Sequence, residues 1–144
     1  MFCSSGFLLS LAALVSSPTG AQIGRIKSSI GDATVQRGTT HIPAATGQDL
    51  LPGDWLETGK NGRISLTFID NTRFAVGPDS RIGLSTFEYN PTTEKGSFVT
   101  QVERGSIAVV SGRISHSGRD AMQLRTDDAV LGISDAEVIV EVPR

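Results

Sequence analysis

Cysteine is almost absent from this sequence, and residues suited to catalysis are equally sparse. The chain contains one cysteine, two histidines, one tryptophan and one tyrosine. Cys3 falls in an apolar N-terminal segment, so from Gln22 onward there is no disulfide, thiol nucleophile or cysteine metal site. His41 and His116 lie in polar, turn-like stretches that lack the nearby nucleophile or carboxylate a catalytic histidine needs.

An excess of charge of one sign is also missing. The sequence has 13 Lys and Arg against 15 Asp and Glu, which gives a formal net charge of -2. Nucleic acids and anionic membrane surfaces are bound by clustered positive charge. The balance therefore argues against both as the main partner, and we predict no nucleic-acid binding.

Motifs that hold metals, phosphates or catalytic carboxylates do not occur. There is no histidine cluster, phosphate-cradling glycine loop or G-x-S-x-G pattern. Asp127 and Asp128 are adjacent, so on a strand they point to opposite faces and do not converge as a hydrolase pair would. Asp70 and Asn71 lack the further oxygen ligands of a calcium loop. We predict no enzymatic activity, no cofactor and no metal.

The N-terminal segment has the composition of an export signal. An uncharged apolar run from Phe7 to Val15 is followed by small residues, with Thr19 and Ala21 at the spacing of a cleavage site. A spanning helix needs about 20 apolar residues, more than this run supplies. We predict a signal peptide at 1–21 and a mature domain at 22–144, periplasmic or secreted, without membrane insertion after cleavage. A membrane anchor and a buried helix are the alternatives.

After Val15 the sequence consists of short β-branched runs separated by Gly, Asn, Asp and Pro. In one run, Ile64, Leu66 and Phe68 alternate with polar residues, the period of a half-buried strand. No window sustains a helical period. The predicted strands are Ile30–Gln36, Arg63–Ile69, Arg73–Val76, Phe98–Glu103, Ser106–Val110, Ala121–Leu124 and Glu137–Val142. We predict a single all-β domain, and the residues alone leave a sandwich, a small barrel and a short solenoid open.

Three segments carry a resemblance to a known family. They are IGDATVQRG, LLPGDWLETGKNGRISLTFIDNTRFAVGPDSRIGL and VERGSIAVV. Together they resemble the FecR-type domain of bacterial periplasmic proteins, over roughly Gly31 to Val142. The matching motif residues, which we expect to form structural turns, are Gly53, Asp54, Thr58, Gly59, Gly62, Asp70, Asn71, Pro78 and Gly105.

The resemblance implies a fold and a class of function. The expected fold is a short β-solenoid or β-roll, with a β-sandwich as the alternative. The expected function is a non-enzymatic periplasmic module that binds or scaffolds an envelope protein partner. The alternative is a partner-dependent component of cell-surface signalling or iron-uptake regulation. Trp55 is the candidate partner contact, although packing within the domain is the commoner role of a lone tryptophan.

One stretch departs from the family pattern. The family usually carries an Arg-Gly-Thr turn near the end of the domain, where this chain has Ser134, Asp135 and Ala136. Asp127 likewise stands where the family has a proline. We expect the role of that turn to be altered or lost.

Overall fold

The structure is a computed structural model that describes residues 21–143. Apart from Ala21, the predicted signal peptide lies outside the described residues. The strands are β1 (Gly24–Ile30), β2 (Ala33–Arg37), β3 (Thr40–Pro43), β4 (Asp49–Leu50), β5 (Trp55–Thr58), β6 (Arg63–Phe68), β7 (Arg73–Val76), β8 (Arg81–Asn90), β9 (Lys95–Val110), β10 (Met122–Arg125), β11 (Val130–Gly132) and β12 (Glu137–Val142). A short 3-10 helix, Arg113–His116, lies between β9 and β10.

All twelve strands belong to one curled sheet. Its main path runs β3-β2-β5-β8-β9-β7-β6-β1-β4, with β10, β11 and β12 joined to it beside β9. Within residues 21–143 the pairing of β10 with β9 is the one parallel pairing, and the others are antiparallel. The strands therefore form a half-barrel by antiparallel pairing rather than by parallel stacking of successive coils.

Strand β9 connects the two halves of this sheet. Its first part pairs with β8 and β10. Its last part, from Gly105 to Val110, pairs with β12 on one side, and residues 107–110 also pair with β7 on the other. We call the side containing β3, β2, β5, β8, β10 and β11 the Trp55 half. The side containing β4, β1, β6, β7 and β12 is the β12 half.

The core lies on the inner face of the curl. Four phenylalanines form its centre, Phe68, Phe74, Phe87 and Phe98, with ring centroids between 4.7 and 5.8 Å apart. Edge-to-face contacts of this kind stabilise an aromatic cluster beyond the burial of its area. These phenylalanines come from strands of both halves, so the cluster packs the two halves against each other.

The all-β prediction is confirmed, and several strand bounds need correction. Arg73–Val76 and Glu137–Val142 are strands with the predicted bounds. The predicted strand Ile30–Gln36 is interrupted, because β1 ends at Ile30 and β2 begins at Ala33. The segments predicted as 98–103 and 106–110 belong to one strand, β9. No helix within residues 21–143 is long and apolar enough to cross a bilayer.

Candidate functional site

The motif residues around the middle of the sheet lie where the chain passes between its two halves. Thr58 donates its hydroxyl to Gly77 O at 2.7 Å and accepts the amide of Ser80 at 3.0 Å. The Ser80 hydroxyl in turn accepts the amide of Ser106 at 3.0 Å. We call this line of residues the corner seam; it comprises Thr58, Gly59, Gly62, Gly77, Pro78, Ser80, Gly105 and Ser106.

Glycine is required in the seam because the backbones come too close for side chains. A Cβ on Gly62 would overlap the carbonyl of Asp32, and one on Gly105 would overlap Ser80. Gly105 also has φ of +94°, which disfavours any other residue. In the structure these residues join neighbouring strands through close backbone approaches and hydrogen bonds.

Asp54 lies at the turn before β5 and is almost fully buried. Arg37 donates to both of its carboxylate oxygens, at 3.0 and 2.9 Å, and the amide of Leu51 donates at 2.9 Å. The hydrogen bond with Asp54 raises the pKa of Arg37 above its ordinary value. This pair attaches the end of β2 to the turn at Gly53. No local sequence pattern predicted Arg37 as the partner of Asp54.

Replacing Arg37 is expected to destabilise the fold. Arg37→Met would leave the Asp54 carboxylate, 1% exposed, with one amide donor. Stranding a buried charge costs several kcal/mol, and partial exposure of Arg37 lowers this to about 2–3 kcal/mol of unfolding free energy. Urea denaturation measures it. Arg25→Met is the control, because the Arg25–Asp49 pair is more than half exposed and separated by 3.6 Å; a loss of about 0.5 kcal/mol or less is expected there. Equal losses in both variants would contradict the assignment.

Asp70 lies in the turn between β6 and β7 and is completely buried. One oxygen accepts the amide of Thr72 at 3.1 Å, and the other accepts the Thr72 hydroxyl at 2.7 Å and the amide of Ile114 at 3.2 Å. Thr72 then accepts the amide of Gly112 at 3.1 Å. Asn71 supplies the left-handed residue of the turn, with φ of 70°. The network joins the β6–β7 turn to the chain that leaves β9.

Trp55 lies on the outer face of the Trp55 half, opposite Gly83 of β8. A Cβ on Gly83 would lie 2.8 Å from the indole ring, so the ring covers that glycine. The guanidinium of Arg81 lies 4.5 Å from the ring centroid and also pairs with Glu57. Packing on a strand glycine accounts for the half-buried state of the indole. Its predicted role as a partner contact stays a prediction.

The remaining titratable residues do not form a metal-binding cluster in the part of the chain that the structure describes. Within residues 21–143, no group of three His, Cys, Asp or Glu is placed to hold a metal ion. His116 lies 3.3 Å from Asp135, and both side chains are mostly exposed. Asp127 and Asp128 are exposed in the turn between β10 and β11.

The turn that departs from the family pattern keeps a left-handed residue. Asp135 has φ of +51°, at the position where the family carries glycine. Aspartate tolerates this conformation better than most residues, at a modest cost. The amide of Ala136 donates to the Ser111 hydroxyl at 2.9 Å, and the amide of Ser111 donates to Ala136 O at 3.1 Å. The turn therefore still directs the chain into β12, although its side chains differ.

Strand β12 ends the β12 half as a free edge. It pairs with β9 without a register shift, from Glu137 opposite Val110 to Val142 opposite Gly105. Among residues 21–143 no strand pairs with its other side. Val138, Val140 and Val142 are half-buried against the core, whereas Ile139 is 77% exposed on the outer face. The sequence predicted the strand but gave no indication that it forms an edge.

Comparison with known proteins identifies a family whose profile covers most of the described chain. The sequence profile described as "FecR protein" matches residues 54–143, more than half of the chain. The opening segment IGDATVQRG and Gly53 lie before the matched range. Comparisons with curated proteins and with solved structures give no significant match. The family is linked to the regulation of cell-surface signalling, and its domains are periplasmic in that context. With its turns, corner seam and final strand inside the matched range, this chain belongs to the FecR family.

Proposed function

We propose that this chain is a non-enzymatic envelope protein that binds a protein partner by adding a partner strand to the free edge of β12. The observation that carries this proposal is the unpaired side of β12, six residues long and without a bulge. A free edge presents a row of unsatisfied amide and carbonyl groups that an added strand satisfies.

The other strands at the ends of the sheet are poorer acceptors. Strand β4 has two residues and β11 has three, which limits the hydrogen bonds either could make. Strand β3 ends in Pro43, which has no amide hydrogen and is typical of protected edges. Among the strands at the ends of the sheet, β3, β4, β11 and β12, β12 combines the greatest length with an absence of proline.

The acidic residues most deeply placed in the fold support a binding role over a catalytic one. Asp54 and Asp70 are both buried, and both accept hydrogen bonds from groups of the same chain. A general acid or base needs access to substrate, which neither carboxylate has.

The second candidate function is a partner-dependent component of cell-surface signalling or iron-uptake regulation. Family membership favours it, since the family is linked to signalling regulation. It predicts that the captured partner is an outer-membrane transporter or an inner-membrane regulator. Export by cleavage of residues 1–21 and residence of 22–144 in the periplasm are part of this proposal.

A pair of neighbouring proline variants tests the edge. Adjacent residues of an edge strand direct their amides to opposite sides, so Val138→Pro and Ile139→Pro remove one amide that faces β9 and one that faces outward. The variant that loses only the outward amide should melt close to wild type. The amount of partner that this tagged variant of 22–144 captures from crosslinked envelope fractions should nevertheless be at least tenfold lower than for wild type.

Two further measurements complete that experiment. Val138→Thr and Ile139→Thr keep both amides and should retain capture, which separates backbone pairing from side-chain loss. Hydrogen exchange of the complex should slow the outward amides of β12. Undiminished capture by both proline variants, with unchanged exchange in β12, would overturn the edge as the binding surface.

A further inference from the structure

The outer face of β12 carries two glutamates, one on each side of an exposed apolar residue. Glu137, Ile139 and Glu141 alternate along this face and are all exposed. Their direct neighbours on β9 are Val110, Ala108 and Ser106, none of them charged. Neither glutamate forms an ion pair within residues 21–143.

These charges oppose association of two copies of the chain through β12. In an antiparallel pair of identical strands, directly opposite side chains lie on the same face of the sheet. In the two registers that overlap most of β12, the symmetry axis passes through Ile139 or through Val140. The first register places Glu137 of each copy opposite Glu141 of the other. The second places Glu141 opposite Ile139. Like charges directly opposite one another destabilise a strand pair, and a glutamate opposite an isoleucine gains no ion pair. Pairing of two copies of the chain through β12 is therefore disfavoured.

The same charges favour a basic partner. An added strand with Lys or Arg at two alternate outward positions, and an apolar residue between them, would place opposite charges beside Glu137 and Glu141. Its apolar residue would cover Ile139, which is 77% exposed. Opposite-charge cross-strand pairs are stabilising, and the exposure of both glutamates leaves them free to form such pairs.

We propose that β12 selects an extended basic segment of its partner, with the outward pattern basic, apolar, basic. This inference rests on the proposed function, because it specifies which strand the edge accepts. Backbone pairing supplies the binding and the two glutamates supply the selectivity.

Labelled peptides test the selectivity. The probes are Thr-Lys-Thr-Ile-Thr-Lys-Thr and Thr-Glu-Thr-Ile-Thr-Glu-Thr, measured by fluorescence anisotropy against the chain 22–144. Wild type should bind the lysine peptide about tenfold more tightly than the glutamate peptide, as expected for two cross-strand pairs. The double variant Glu137→Lys/Glu141→Lys should reverse that preference. The preference should decrease with added salt, because exposed charges are screened.

A control with the same change in net charge separates the site from general attraction. Asp127→Lys/Asp128→Lys reverses two exposed charges in the β10–β11 turn, and it should leave the preference for the lysine peptide intact. Equal loss in both double variants would overturn the selection by β12. If neither peptide binds while capture still depends on the outward amide of β12, the selection of a basic segment is overturned. The proposed binding through the β12 edge would then still hold. Failure of capture to depend on that amide would overturn both.

A single substitution should convert the free edge of β12 into a dimer interface. In Glu141→Lys, the register centred on Ile139 places Glu137 opposite Lys at position 141 of the second copy. Sedimentation should show a dimer whose β12 amides are protected from exchange, whereas wild type stays monomeric. A wild-type dimer with protected β12 amides would instead make a second copy the occupant and overturn the basic partner.

Discussion

Gly105→Ala is expected to lower the free energy of unfolding by about 3–5 kcal/mol, a large fraction of the roughly 5–15 kcal/mol of a typical domain. Two effects add together at this position. The backbone has φ of +94°, which is strained for any residue with a Cβ, and that Cβ would overlap Ser80 within the corner seam. Backbone strain costs of order 1–3 kcal/mol and overpacking a further 1–3 kcal/mol. Urea denaturation followed by Trp55 fluorescence measures the loss.

Gly53→Ala is the matched control for this variant. Gly53 has a similar φ of +86°, but no atom lies within 4 Å of where its Cβ would be. Only the strain remains, so about 1–2 kcal/mol should be lost. The difference between the two variants measures the close approach of β9 to Ser80. Equal losses would mean that the seam yields to a methyl group, and would contradict its packing role.

Asp70→Ala is expected to cost about 3–4 kcal/mol of unfolding free energy. The variant leaves the buried amides of Thr72 and Ile114 without an acceptor. Hydrogen bonds to a charged group contribute about 1.5–3 kcal/mol each, and the stranded donors cannot reach water. Hydrogen exchange at Ile114 should accelerate along with the loss of global stability.

Two controls bracket the Asp70 result. Asp127→Ala removes a carboxylate from an exposed turn and should change stability by about 0.5 kcal/mol or less. Thr72→Ser keeps the hydroxyl that links Asp70 to Gly112 and should cost much less than Asp70→Ala. A loss below about 1 kcal/mol for Asp70→Ala would show that the network is replaceable, against the expectation for a buried charged hub.

The alternation of apolar and polar residues predicted the strands that have one buried face and one open face. Alternation in β6 and β12 reflects one buried and one open face, so the sequence carries that signal directly. The pattern fails at Gly105, which reads as a break. The structure keeps β9 continuous through Gly105, which pairs with Val142. A bulge lies just before it, at Glu103, because Arg81 pairs with Arg104 and Ile82 pairs with Val102.

The candidate site was harder to predict because it depends on topology. The turn residues Asp54 and Asp70 were identifiable, since aspartate before a turn commonly binds backbone amides. Their partners Arg37 and Ile114 lie 17 and 44 residues away, and nothing local marks them. Whether β12 is central or at an edge depends on which strands pair with β9. That arrangement was invisible until the sheet order was known.

The position of β9 also constrains when the domain can fold. It is central in the sheet, yet it comes after eight other strands in the chain. Before residues 95–110 are available, β8 and β7 have no partner on the side where β9 belongs, and the two halves stay unjoined. A chain that enters a compartment N-terminus first should therefore remain open until about three quarters of it has emerged. Its late closure leaves strand edges exposed on the way, so we expect holdase chaperones of that compartment to bind it during delivery.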